Sequence, residues 1–360
     1  MALDLNITTI EYKNEDAINI IFIGDGFTSA QTATYHAKVA TAVTAFFTFA
    51  PFTTNRDKFN IYSIPTVSVD SGISTITHPN NPVTPIVKNT FLGAYFNRGG
   101  MIRLTGFDKY DELEEELTKH FKNRVFVILI SNTGTYGGSG EFPEGRFMAV
   151  THITMETQYN TFKELMMHEF GHSFCGLADE YGGNCTSDRP SNWALPLYDR
   201  PNITDDIVNK RKWDNIVLVP QYIEGGNYCN TGWWRSSQSS LMRGWFEVGT
   251  LLDEKFNELS IYLINKRIEE EIKLAKKTTT YINGEILRDR FDLKKRNNVK
   301  SLQNIRINSD VTFNKNIICK NLFINKGCTL TIGQGATVRY KSLINNGTLI
   351  NLGNIEAAPQ

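Results

Sequence analysis

The sequence predicts a mixed α/β (α+β) domain over residues 1–276, a linker over residues 277–302 and a small all-β domain over residues 303–360. In the first part, short apolar runs alternate with segments of helical periodicity, which predicts strands alternating with helices. Near residue 277 the composition shifts to threonines and a charged stretch, which indicates a boundary. Beyond it, alternating apolar residues recur between Asn and Gly turns, a pattern typical of a small β-solenoid or β-roll.

Four apolar runs predict the strands of the first domain: residues 18–24, 60–69, 125–130 and 147–151. The run over 125–130 consists entirely of Val, Phe, Ile and Leu, so it predicts a strand at the buried centre of a sheet. The segment over 131–140 is rich in glycine and predicts a loop.

Helical periodicity and start signals predict four helices. They are a helix that begins near Thr28, a charged helix over Asp111–Phe121, a helix over residues 159–175 and a long amphipathic helix from Glu247 to Lys276. Between the third and fourth helices, a long segment has few periodic signals. Segments of this kind in folded domains usually wrap a functional site.

The third helix carries His168, Glu169 and His172 in the spacing HExxH. Residues four apart on a helix point the same way, so the two imidazoles can hold one Zn²⁺ ion. Glu169 then lies beside the ion without needing to bind it, which suits a general base. The alternative is that both histidines bind no metal and are polar residues on a helix face whose hydrogen bonds are made with other groups.

Two residues beyond the motif favour the metal site. Gly176 follows at a distance suited to ending the helix in a left-handed conformation, so the chain can turn back. Asp179 then offers a hard oxygen as a third ligand from outside the helix.

Residues 168–180 resemble the IgA-cleaving metallopeptidase family of metzincin-like zinc peptidases, which has the pattern HExxHxxxGxxDE. Compared with the commoner metzincin pattern, an additional residue precedes the glycine, and this argues against an astacin or a matrix metalloproteinase. The resemblance covers most of residues 15–265, with matching segments at 19–28, 51–52, 59–62 and 91–96.

The resemblance implies a metzincin-like zincin fold with a mixed sheet, an active-site helix and a Met-turn, in which Met242 packs beneath the histidines. It also implies that the strand over 147–151 is the edge strand that lines the cleft. Glu180 is predicted either to hydrogen-bond a ligating imidazole or to form a surface ion pair. Tyr181 is a candidate donor to the oxyanion.

The predicted function is zinc-dependent endopeptidase activity on protein or peptide substrates, host glycoproteins among them, with Glu169 as general base. A hydrolase of non-peptide amides is a rival within enzymes. The rival from another class is a surface binding or adhesion protein that works through its β-domain and keeps only a vestigial or structural zinc site. An intact Glu169 argues against the second rival, because a structural site needs no general base.

Composition and cysteine content bound the remaining possibilities. Lys+Arg and Asp+Glu balance at 38 each, which predicts no affinity for nucleic acid, and no apolar run is long enough to span a membrane. The N-terminus shows no secretory signal, whereas the family resemblance implies secretion or display at the cell surface; an intracellular location is the alternative. Of the five cysteines, Cys185 and Cys229 could form a loop-closing disulfide in an oxidising compartment, or stay reduced.

Overall fold

The computed structural model describes residues 3–141, 146–157, 159–183, 200–209, 211–218, 220–244, 255–282, 285–286, 298–308, 310–314 and 316–357. Of these, residues 277–282, 285–286 and 298–303 are described by their backbone alone. The α-helices are α1 Thr32–Phe46, α2 Tyr110–Thr118, α3 Phe162–Cys175 and α4 Glu258–Lys277. The strands of the first part are β1 Thr8–Glu11, β2 Ile18–Asp25, β3 Phe59–Ile64, β4 Ser74–Thr75, β5 Ala94–Phe96, β6 Thr105–Phe107, β7 Val125–Ser131, β8 Gly138–Glu141, β9 Met148–Thr154, β10 Ile203–Thr204, β11 Ile223–Gly226 and β12 Cys229–Arg235. Those of the second part are β13 Thr278–Ile282, β14 Glu285–Ile286, β15 Asn298–Ile307, β16 Val311–Phe313, β17 Asn316–Ile324, β18 Thr329–Ile332, β19 Thr337–Asn345, β20 Thr348–Asn351 and β21 Asn354–Ala357.

A six-stranded mixed sheet with the order β1-β3-β2-β7-β9-β8 forms the centre of the first part. Strands β3, β2, β7 and β9 are parallel, and β1 and β8 are antiparallel to their neighbours. As the sequence predicts, the apolar run at 125–130 lies in an interior strand, β7. The mixed α/β architecture of the prediction is therefore observed.

Helices cover both faces of this sheet, because alternate side chains of the strands are buried on opposite sides. Ile20 and Phe22 of β2 pack in one apolar cluster with residues of α1, α3 and α4. Ile21 and Ile23 pack in a second cluster, which includes Leu113 of α2. Burial on both faces explains why the strands lack a polar–apolar alternation in sequence.

Several elements differ from the sequence prediction. Strand β3 ends at Ile64 and not at residue 69, because Pro65 cannot donate a ladder hydrogen bond. The edge position is held by β8, not by the strand over 147–151, which lies inside the sheet as β9. The glycine-rich segment predicted as a loop supplies that edge strand. Of the fourth helix, Glu258–Lys277 is observed, and the start predicted at Glu247 lies outside the described residues.

Two facing sheets form the second part, with the orders β14-β13-β15-β17-β19-β21 and β16-β18-β20. Their strands pair in parallel, except that β13 and β14 are antiparallel. Apolar side chains from both sheets, among them Leu322, Ile324 and Leu330, are buried in one cluster. The larger sheet begins at Thr278, because β13 pairs in parallel with β15. Strands therefore occupy part of the segment predicted as a linker, 277–302; the division into domains stays a prediction.

The second part contacts the first beside α2. The side-chain amide of Asn308 donates to the backbone oxygen of Phe121 at 2.7 Å, and Lys326 forms a 3.1 Å ion pair with Asp111. Arg306 is buried and its guanidinium lies 5.3 Å from the ring centre of Phe147. Among the described residues, no helix is long and apolar enough to cross a membrane.

Candidate metal centre

The end of α3 brings three predicted ligands together. Gly176 ends the helix with φ +67° and ψ +24°, the left-handed conformation predicted for it, and its N–H donates to the carbonyls of Gly171 and His172. The chain then reverses, and Asp179 returns to the helix face that carries His168 and His172. Among the described residues, these three form the group of side chains able to share one metal ion.

The three ligand atoms form a nearly equilateral triangle. The Nε2 atoms of His168 and His172 lie 3.2 Å apart, and Asp179 Oδ1 lies 3.1 Å from the first and 3.3 Å from the second. Tetrahedral zinc with bonds of about 2.0–2.1 Å separates its ligand atoms by about 3.3–3.4 Å. The spacing of the triangle therefore fits such an ion.

Hydrogen bonds on the far side of each imidazole fix its tautomer. The Nδ1 of His168 lies 2.9 Å from the carbonyl oxygen of Leu241, and the Nδ1 of His172 lies 2.6 Å from that of Leu177. A carbonyl only accepts, so both Nδ1 atoms carry the proton. In the neutral rings both Nε2 lone pairs then point into the triangle, as in metal-ligating histidines.

The third corner is a buried acceptor without a matching donor. Asp179 is 7% exposed, and its Oδ1 receives no hydrogen bond of acceptable geometry from the described residues. Three converging acceptors repel one another unless a cation or a proton lies between them. In a metal-free site, burial opposes the charged imidazolium of His168, but Asp179 and Glu169 outweigh it and raise its pKa to about 9. The donor set of two imidazoles and a carboxylate fits Zn²⁺.

Met242 lies against the same helix. It is fully buried, and its Sδ occupies the space beside Gly171, where a Cβ would come within 2.7 Å of the sulfur. A glycine between the two histidines therefore lets the methionine side chain reach the helix axis. The preceding residue, Leu241, supplies the carbonyl that holds His168. The segment around Met242 thus supports the triangle both by packing and by a hydrogen bond.

Glu180 occupies neither of its predicted positions. It is fully buried, so it forms no surface pair, and backbone carbonyls bind the Nδ1 atoms of both imidazoles. Its carboxylate accepts from Asn202 Nδ2 at 2.9 Å and from Asn257 Nδ2 at 3.2 Å, and burial raises its pKa to about 7. Its backbone N–H donates to Met242 O at 2.7 Å. Glu180 therefore joins the ligand loop to the segment that supports the histidines.

Glu169 faces a cavity of about 530 Å³ that also exposes His168 and Tyr181. Strand β8 lies close to this part of α3. A Cβ at Gly140 would clash with the carbonyl oxygen of Glu169 and come within 2.8 Å of the Cβ of His172. The glycines of the segment predicted as a loop thus permit a strand to contact α3 directly.

Two further groups, neither of them among the site residues predicted from the sequence, contact the candidate site: Arg103, which lines the cavity, and Tyr228. Arg103 donates from Nη2 to the hydroxyl of Tyr181 at 3.3 Å. The ring of Tyr228 packs edge-on against that of Tyr181, and its hydroxyl donates to Asp179 Oδ2. Tyr228 stands 49 residues after the aspartate, so no local spacing could reveal this contact.

The cysteine prediction is met in part. Cys229 is disulfide-bonded, whereas Cys175, Cys319 and Cys328 carry free thiols. Cys185, its predicted partner, lies outside the described residues.

Comparison with known proteins agrees with the resemblance noted in the sequence. Residues 9–223, more than half of the chain, match the family model described as IgA Peptidase M64. The match includes the triangle of ligands and ends before Met242 and the second part. No curated protein matches the chain.

Proposed function

Because the chain belongs to the IgA peptidase M64 family and is a metallopeptidase, we propose that it is a zinc-dependent endopeptidase with Glu169 as its general base. The observation that carries the proposal is the triangle of Asp179 Oδ1 and two Nε2 lone pairs at 3.1–3.3 Å beside a cavity exposing Glu169. Three protein ligands leave a position for water, as in catalytic zinc sites, whereas structural sites usually close with four.

The mechanism assigns a task to each group of the chain. His168, His172 and Asp179 hold the ion, which supplies Lewis acidity toward a water and toward the substrate carbonyl. Glu169 takes a proton from the attacking water and later donates it to the leaving amine. The N–H groups of Arg103 and the hydroxyl of Tyr181 lie on the cavity wall, where they can donate to the developing oxyanion.

We assign the first part a metzincin-like fold with residues 239–243 as its Met-turn. The burial of Met242 beside Gly171 and the hydrogen bond from His168 to Leu241 O support this assignment. Because Gly138–Glu141, and not residues 147–151, forms the edge of the sheet, we propose that Gly138–Glu141 binds extended substrate.

The second part fits a β-solenoid, because strands β15 to β21 pair in parallel and two facing sheets share one apolar interior. We propose protein substrates, host glycoproteins among them, and a secreted or cell-surface location. The disulfide at Cys229 supports this location, because such bonds persist in oxidising compartments.

The substitution Glu169→Gln tests the proposal. We expect the variant to retain one zinc per chain, measured by elemental analysis, and to lose cleavage of a denatured protein by about 10²–10⁴-fold. Glu224→Gln is the matched control, because Glu224 lines the same cavity but accepts a backbone hydrogen bond from Gly232. Unchanged cleavage by Glu169→Gln would remove this residue from the mechanism, and purified protein without affinity for zinc would refute the metal assignment. Product analysis distinguishes peptides from other amides.

A further inference from the structure

The third ligand differs from the two histidines in how it is held. The imidazoles are fixed by α3 and by carbonyls, whereas Asp179 lies in the loop that follows the helix. Its two oxygens have separate partners: Oδ1 faces the imidazoles, and Oδ2 accepts the hydroxyl hydrogen of Tyr228. A carboxylate held at one oxygen cannot rotate its other oxygen away from the triangle without breaking that bond.

The backbone around Tyr228 binds the same loop. The N–H of Asn227 donates to Asp179 O at 2.9 Å, that of Tyr228 to Tyr181 O at 3.1 Å, and that of Asn230 to Gly183 O at 3.0 Å. These three bonds place the turn between β11 and β12 alongside the ligand loop. The phenol therefore reaches Asp179 from an anchored backbone.

The conformation of the turn is costly for a tyrosine. Asn227 has φ +49° and Tyr228 has φ +65°, so two successive residues are left-handed. Turns of this type favour Asn followed by Gly, because a side chain in the second position is strained. Strained residues persist where the surroundings hold them, and they cluster at functional sites. The side chain that occupies this position is the one that binds the carboxylate.

The neighbouring tyrosine restricts the ring further. The rings of Tyr181 and Tyr228 lie 4.9 Å apart at 85°, an edge-to-face arrangement. Tyr181 is in turn contacted by Arg103. The orientation of the Tyr228 ring is thus restricted by its packing against Tyr181 and by its hydrogen bond to Asp179.

We propose that Tyr228 is a positioning residue of the metal centre: its hydroxyl holds Asp179 with Oδ1 toward the imidazoles and thereby sets the affinity for the ion. This inference rests on the proposed zinc site. Groups that hydrogen-bond a metal ligand typically change metal affinity by about 10–100-fold when they are removed.

The substitution Tyr228→Phe tests the inference, because it keeps the ring and removes only the hydroxyl. Zn²⁺ affinity is measured by competition with a chromogenic chelator, and we expect it to fall about 10–100-fold. The visible spectrum of the Co²⁺-loaded protein should also change, since the carboxylate would no longer be fixed. Tyr222→Phe is the matched control: it removes a hydroxyl that donates to Asp214 at 2.8 Å, and it should leave affinity and spectrum unaltered.

A double-mutant cycle tests whether Tyr228 acts through Asp179. In an Asp179→Ala background, Tyr228→Phe should change zinc affinity no further, because the two residues act through one bond. An equal loss in both backgrounds would overturn the inference, as would wild-type affinity with an unchanged cobalt spectrum in Tyr228→Phe. If wild-type protein itself fails to bind Zn²⁺, the proposed function fails first, and the two failures remain distinct.

Discussion

Gly140→Ala should damage both stability and catalysis, because β8 and α3 leave no space for a methyl group. The added Cβ would lie 2.8 Å from His172 Cβ and 2.9 Å from the carbonyl carbon of Glu169, where ordinary contact begins at 3.4 Å. The carbonyl oxygen of Glu169 would be closer still, so strand or helix must move by more than about 0.6 Å to restore normal contacts. Overpacking of this kind costs about 1–3 kcal/mol in free energy of unfolding.

The displaced groups are the proposed general base, Glu169, and a proposed metal ligand, His172, so the loss of activity should exceed what the loss of stability alone would cause. Misplacement of catalytic groups by about 1 Å costs on the order of 10²-fold in rate. We expect a loss of about 10–100-fold in kcat/KM for a denatured protein substrate, measured below the melting temperature, together with a Tm lower by a few degrees.

Two neighbours calibrate the result. Gly138→Ala meets Glu169 Cγ at 3.1 Å and no atom closer, so its effect should be smaller. Ser139 lies on the opposite face of β8, where its hydroxyl donates to Thr105 O at 2.9 Å, and Ser139→Ala should preserve activity. Wild-type stability and activity in Gly140→Ala would show that strand and helix are not in contact, and the account of the glycine-rich segment would be wrong.

Four further predictions concern single groups. Glu180→Ala removes the acceptor of two hydrogen bonds, from the amides of Asn202 and Asn257, each worth about 0.5–1.5 kcal/mol, and should lower the free energy of unfolding by about 1–3 kcal/mol in denaturant titrations; an unchanged midpoint would contradict this. Arg103→Met should lower kcat by about 10²–10³-fold with zinc retained, if its N–H groups bind the oxyanion, and a rise in KM alone would indicate substrate binding instead. Chelation of the metal should lower Tm in wild type but not in His168→Ala, which lacks a ligand. The pKa of His152 is lowered to about 3, chiefly by burial and also by the charge of Arg98. Between about pH 6.5 and pH 3, His152 is therefore protonated in the unfolded chain and neutral in the folded chain. Metal-free protein should therefore lose stability as pH falls through this window; His152→Gln should flatten the dependence, and the exposed His120→Gln should not.

The parts of the molecule that follow a local rule could be predicted from sequence. A helix with histidines four apart brings two imidazoles together whatever surrounds it, and a glycine at its end forces the chain to turn. Interior strand β7 was likewise marked by its unbroken apolar run. These predictions depend on neighbours within one or two turns of chain.

Residues that act through distant partners could not be predicted in the same way. The glycines in 131–140 predicted a loop, yet Gly138 and Gly140 belong to an edge strand. Glycine occupies these two positions because α3 lies close to the strand there. Glu180 was expected near an imidazole or at the surface, but its side-chain partners are asparagines from separate segments, Asn202 and Asn257. Such partners become neighbours only when the whole domain folds.

The division between local and distant determinants has a consequence for the metal site. Helix geometry pre-arranges two of the proposed ligands, so completing the triangle depends on the position of Asp179, which lies in residues 177–183, a described segment outside helices and strands. Three segments hold that loop: the Met242 segment through Glu180 N–H, Asn202 through the backbone of Ala178, and the turn at Tyr228. A loop fixed at three points loses little conformational freedom when the ion binds, which favours affinity. Substitutions at these attachment points should therefore weaken metal binding while leaving α3 and its histidines folded.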